Sequence, residues 1–315
     1  MRRWTTWLLI GALAALASVA VADAVRGSAE KTKVGTPTIT VPLIPRNEPA
    51  SSAMTGALYY TDRVDCRLRA LRLPDLREMR APELGSCSFS ISPDGQGALS
   101  GEVAWSPAGG LWARTRGGSI ELGSPGWDRA LRFPGRAPAF KPDGTFTYAH
   151  GGNVVAWTTS CPRAVRLFTL PGDNATARCQ RTVAHVRSGT VRSLVWLTNR
   201  RMALIKRPSG QMVTIREGGL HVSTGTPGHR LSDLEVSPLG SYVSARANRG
   251  GGLLVLAADG HPVLLPPFVD PRSITWSPDE RWTAVATANS VFVFRTETDV
   301  RLRRLPIHAY QVAWR

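Results

Sequence analysis

Four cysteines, six histidines and 23 acidic residues are the groups with which this 315-residue chain could do chemistry. Cys66 and Cys87 flank one strand-like segment and Cys161 and Cys179 flank another, and neither pair has the CxxC spacing of a zinc or redox site. In an oxidising compartment the two local pairings, Cys66–Cys87 and Cys161–Cys179, need the least chain rearrangement and are the expected disulfides. Buried free thiols are the competing reading. His150, His185, His221, His229, His261 and His308 are scattered, with no HxH or HExxH pattern to gather a metal. A GxSxG nucleophile elbow is absent. The glycine-rich stretches "GGNV" and "RGGGLL" lead into strands, so they lack the helix N-terminus that cradles a phosphate. Motifs alone therefore assign no catalytic, cofactor-binding or metal-binding residue. Paired carboxylates remain an open route to hydrolysis, because distant parts of a chain can bring them together.

Charge is the other chemical signal. The formal net charge is +16, and it rests on arginine, since Lys31, Lys33, Lys141 and Lys206 are the only lysines. Arg67, Arg69 and Arg72 fall in "CRLRALRLPDLREMR", and Arg301, Arg303 and Arg304 in "DVRLRRL". If these segments are outer strands, the charges guard sheet edges against pairing with other chains. If the segments are also neighbours, the arginines make one basic flank suited to anionic lipid or a cell-envelope polymer.

The chain opens "MRRWTTWLLIGALAALASVAVADA", two arginines followed by an uncharged apolar run from Trp4 to Ala22. Residues 1–25 read as an apolar helix that is either a signal peptide or a single membrane anchor. The expected location is extracytoplasmic, secreted or anchored, which leaves no role for nucleic acid. Pro37, Pro42, Pro45 and Pro49, set among Ser, Thr and Gly, make residues 26–56 a tether.

From residue 57 short apolar runs alternate with turns. "SISPDGQGALS", "AFKPDGTFTYA", "EVSPLGSYVSA" and "TWSPDERWTAV" share one layout of strand, Pro-containing turn and second strand; "VWLTNRRMALI" keeps it without the proline. The apolar residues before each turn, Ile91, Phe140, Trp196, Val236, Trp276 and Trp314, are 49, 56, 40, 40 and 38 residues apart. A strand-built period near forty is that of a propeller blade of four strands. "YQVAW" at residues 310–314 is a first strand alone, and the unit starting at Ala57 lacks one. Pairing the two ends completes a blade. The expected fold is all-β: a six-bladed propeller over residues 57–315, closed by its N- and C-terminal strands.

The Ser-Pro-Asp-Gly turn at blade spacing resembles the TolB-like six-bladed propeller family, complete at Ser92-Pro93-Asp94-Gly95 and near-complete at Lys141-Pro142-Asp143-Gly144 and Ser277-Pro278-Asp279-Glu280. The resemblance implies a fold and no activity, because these residues make turns. Trp105, Trp112, Trp157, Trp196, Trp276 and Trp314 are expected to pack between blades rather than to stack on sugars. Two functions follow. The first, and the expectation adopted, is a non-catalytic monomer, without cofactor or metal, that binds a protein or an anionic polymer or lipid surface near the membrane. The second is a propeller hydrolase or lyase acting on sugars or small esters at the central channel. Carboxylates or histidines converging on the channel would mark the enzyme; a lining of Ser, Ala and backbone would mark the scaffold.

Overall fold

The computed structural model describes residues 54–157, 180–186, 189–217, 221–223, 230–247, 252–263, 265–266, 268, 270–296 and 302–315. The apolar N-terminal run, most of the tether, Cys161, Cys179 and Arg301 lie outside them. No helix among the described residues is long and apolar enough to cross a membrane.

The described chain is all-β and propeller-like, with seven antiparallel sheets. Sheet 1 joins the two ends: β25 (Ala309–Trp314) pairs with β1 (Gly56–Asp62), followed by β2 (Leu68–Leu73) and β3 (Arg77–Met79). Sheet 2 is a lone hairpin of β4 (Phe89–Ile91) and β5 (Ala98–Ser100). Sheet 3 holds β6 (Ala104–Trp105), β7 (Trp112–Arg116), β8 (Ser119–Gly123) and β9 (Leu131–Pro134). Sheet 4 runs from β10 (Arg136–Phe140) through β11 (Phe146–His150) and β12 (Asn153–Trp157) to β13 (Gln180–His185). Sheet 5 runs from β14 (Thr190–Thr198) through β15 (Arg201–Arg207) and β16 (Met212–Arg216) to β17 (His221–Ser223). Sheet 6 has β18 (Leu231–Val236), β19 (Tyr242–Ala247) and β20 (Leu253–Ala257). Sheet 7 has β21 (Ser273–Trp276), β22 (Trp282–Ala286), β23 (Val291–Arg295) and β24 (Arg303–Leu305).

Where six blades were expected, the described residues form seven sheets, one of them a two-stranded hairpin. The long interval between Ile91 and Phe140 hides a further first strand, ending at Trp105, with its own turn Ser106-Pro107-Ala108-Gly109. Sheet 2 stops after two strands and hands the chain directly to sheet 3. Met54, just before β1, is buried in the core between sheets 1 and 7.

One local mechanism makes the turns. The amide of the fourth turn residue donates to the carbonyl of the first at Gly95, Gly109, Gly144, Gly240 and Glu280. That fourth residue takes a positive φ, 73° at Gly95 and Gly109, which glycine tolerates without cost. The first-position serines close the hairpin: Ser92, Ser106, Ser237 and Ser277 each accept the amide five residues on, at 2.7, 2.9, 2.8 and 3.0 Å. Glu280 adopts the same conformation at 57°, and its carboxylate accepts the Leu239 amide of the preceding sheet at 2.6 Å.

Apolar clusters fill six of the seven junctions between consecutive sheets. Between sheets 2 and 3 the described residues form no such cluster; there Trp105 Nε1 donates to Ser90 Oγ at 3.1 Å. Sheet 2 is held from the other side. Gln311 of β25 spans to β4, accepting from the Phe89 amide at 3.0 Å and donating to its carbonyl at 2.9 Å. The expected Cys66–Cys87 disulfide joins sheet 1 to the strand entering sheet 2.

Candidate functional site

The innermost strand of every sheet lines one central cavity of about 860 Å³. Alternation along a strand sends every second side chain toward a neighbouring sheet and leaves the others to the lumen. The third residue before each turn anchor is Ser88, Glu102, Ala137, Ser193, Asp233, Ser273 and Gln311 in sheets 2, 3, 4, 5, 6, 7 and 1. Two of these seven equivalent positions are acids. Glu235, two residues after Asp233, lines the cavity nearer its turn end.

Backbone irregularity aims this set. β18 slips register between Ser232 and Glu235, and Asp233 sits in the bulge with φ 55°. Ala137 holds the equivalent place in β10 with φ 47°, also at a register slip. Left-handed backbone at a residue with a Cβ costs roughly 1–2 kcal/mol, and bulges re-aim side chains near functional sites.

Asp233 is anchored by Arg246 at 2.7 Å and accepts the Ser232 hydroxyl at 3.0 Å. The Glu102 carboxyl faces that of Asp233 within hydrogen-bonding reach. Burial first, and then Asp233, push Glu102 well above the usual carboxylate range; Arg192 and Arg246 act in the opposite direction. Burial likewise pushes Glu235 up to about 8, against the pull of Arg315. Glu102 meets the water of the lumen although protein rings it, and Glu235 is half-buried on the wall. At neutral pH the lumen thus offers two carboxyls held toward their protonated forms, Glu102 and Glu235, with Asp233 and guanidinium groups at hand. This is the separation of acid and base roles that hydrolysis requires.

The sequence singled out none of these carboxyls, which lie just before β6 and within β18 and match no motif. The residues it did single out lie elsewhere. Arg67, Arg69 and Arg72 are on or beside β2, where Arg69 reaches Asp65 at 3.1 Å and Arg72 reaches Asp75 at 2.6 Å. Arg67 stands 3.9 Å from Asp65. Arg303 lies over the Trp282 ring at 5.7 Å, and Arg304 is exposed on β24. Leu71 and Leu73 of sheet 1 share a core with Leu305 of sheet 7, so the two basic segments are on adjacent sheets. Of the tryptophans, Trp196, Trp276 and Trp314 are buried in the junctions. Among the described residues no cluster of His, Cys, Asp and Glu suits a metal ion.

No family model and no curated protein matches the sequence. Solved structures do match. A Bacteroides uniformis protein provisionally named a 6-phosphogluconolactonase has a TM-score of 0.55 at 15% identity, over 82% of this chain and 99% of its own. A Bacteroides fragilis protein with the same provisional name scores 0.47 at 14% identity, over 85% and 99%. The β-propeller domain of Cps50 (Swd1) from Myceliophteria thermophila scores 0.45 at 14% identity, over 80% and 85%. At such identities the likeness is one of fold. The expectation that this chain is not an enzyme is nevertheless corrected. The match with a TM-score of 0.55 carries an enzyme's name, and among the described residues two carboxylates, Glu102 and Glu235, and four arginines line the channel.

Proposed function

We propose that the chain is a channel-centred hydrolase acting on a small sugar-derived ester or lactone. The observation that carries the reading is the convergence of Glu102 and Glu235 on one lumen, with Arg192 on its wall and the Asp233–Arg246 pair beside Glu102. A lactone substrate is in keeping with the name of the Bacteroides uniformis match.

In this reading water bound at the Glu102–Asp233 pair gives a proton to the pair as its oxygen attacks the carbonyl carbon. Arg192 and Arg246 stabilise the oxyanion that forms. The acyl C–O bond then breaks, and Glu235 gives its proton to the departing alkoxide. The proton taken up by the pair returns to Glu235, so the sum is ester plus water to acid plus alcohol. General acid–base assistance of this kind is worth about 10²–10⁴-fold. The Cys66–Cys87 bridge favours an oxidising compartment, in keeping with export through the N-terminal apolar segment.

The test is a panel of aldonolactones, their phosphate esters and small aryl esters, followed by proton release. Turnover that falls at least 10²-fold in Glu235→Gln supports the reading. Absence of turnover across the panel, or turnover unchanged in Glu235→Gln, overturns it.

A further inference from the structure

Arg315 follows directly on β25, one position past the buried Trp314, and its side chain lines the central cavity. Its guanidinium donates from Nη1 to the Trp314 carbonyl at 2.9 Å and from Nη2 to the Ile91 carbonyl at 3.1 Å. Nε is buried and has no partner. Among the described residues no Asp or Glu carboxylate lies within ion-pair distance of it. Carbonyl dipoles orient a guanidinium but do not cancel its charge, and an uncompensated cation away from bulk water is expensive. The acid that faces it is Glu235, which burial holds toward the neutral form, and Tyr59 is the other titratable group nearby. The wall of the lumen therefore carries a fixed, oriented guanidinium with no side-chain ion pair.

We propose that Arg315 is the receptor for an oxyanion carried by the ligand, a carboxylate or a phosphate monoester, at the turn end of the channel. The proposal deepens the hydrolase reading, on which it rests for the identity of the ligand as a substrate. The planar guanidinium is fixed by two carbonyls from adjacent sheets, which leaves one N–H on each of Nη1 and Nη2 for a bidentate anion. Arg315 stands four strand positions beyond the level of Glu102 and Asp233, about 13 Å at ~3.3 Å per residue. Glu235 lies between. An anion seated on Arg315 would thus present the rest of a sugar-sized molecule to Glu235 and then to the Glu102–Asp233 pair. The cavity volume of about 860 Å³ accommodates a molecule of that size.

The experiment is a calorimetric titration of the full chain with inorganic phosphate, with gluconate and with neutral glucose, at low and moderate salt. Phosphate or gluconate is expected to bind where glucose does not, and which of the two binds identifies the oxyanion. Arg315→Gln is expected to weaken that binding at least ten-fold, Arg315→Lys less, and the exposed Arg304→Gln not at all. The Lys variant preserves charge, so it keeps the comparison meaningful should the Gln variant be poorly folded. Neither anion binding, or equal binding by wild type and both Arg315 variants, overturns the proposal. Binding is read without turnover. Arg315-dependent binding by a protein that hydrolyses nothing would sustain this site and remove only the hydrolase reading.

Discussion

Glu102 and Asp233 occupy the same place in their repeats, three residues before the turn anchors Trp105 and Val236, and face each other within hydrogen-bonding reach across 131 residues of sequence. Sheets 3 and 6 are not neighbours, so only the lumen brings the two together. A repeat that elsewhere puts Ser, Ala or Gln at this position has an acid in two sheets, and these two meet.

Because the pair acts as one unit, its single variants should not add. Glu102→Gln and Asp233→Asn are each expected to lower hydrolysis about 10²-fold or more, and the double variant little further. Turnover on the best lactone or ester of the panel checks this. Two fully additive losses would mean separate roles.

Glu235 makes stability depend on pH. Its folded-state value of about 8 lies above that of an unfolded glutamate, about 4.3, so the folded chain binds a proton that the unfolded chain releases. The contribution is whole below about pH 4 and is lost as pH rises through about 8. Urea unfolding of Glu235→Gln from pH 5 to 9 should decline less steeply than that of the wild type. Parallel curves would refute the burial of this carboxyl.

Sheet 2 lacks an apolar junction on its sheet 3 side, so its attachment to sheet 1 matters more. The Cys66–Cys87 bridge spans 21 residues, which in the chain-entropy model corresponds to about 3 kcal/mol. Replacing both cysteines with serine should cost about that much, and hydrogen exchange should rise first at Phe89–Ser100. Uniform exchange across all sheets would contradict a weak seam there.

Gly240 closes the turn of sheet 6 with φ +80°, and a Cβ there would stand 1.9 Å from the Leu197 carbonyl oxygen of sheet 5. Gly240→Ala is expected to lower stability by about 2 kcal/mol or more, from backbone strain and the clash together. Gly117, also at positive φ but with open space around it, should tolerate alanine better. Equal losses at the two positions would leave the close approach between sheets without energetic weight.

Turns were legible in the sequence because their chemistry is local. Ser92, Pro93, Asp94 and Gly95 specify a conformation within a few residues, and its recurrence near forty residues implies blades whatever lies between. The join of β25 to β1 was legible for a related reason, since an unpaired first strand at one end matches a missing one at the other. Even the seventh turn, Ser106-Pro107-Ala108-Gly109, was there to be found; Trp105 follows Ile91 by only 14 residues, and a period of forty conceals so short a repeat. The site is different. A glutamate at a strand start has the same local preferences whether it faces solvent, a junction or a lumen. Only the tertiary structure decided that Glu102, Glu235 and Arg315 share one cavity with Asp233 beside Glu102, because a bulge in β18 sets where Asp233 points, and burial among distant strands, not neighbours in sequence, holds Glu102 and Glu235 toward their protonated forms.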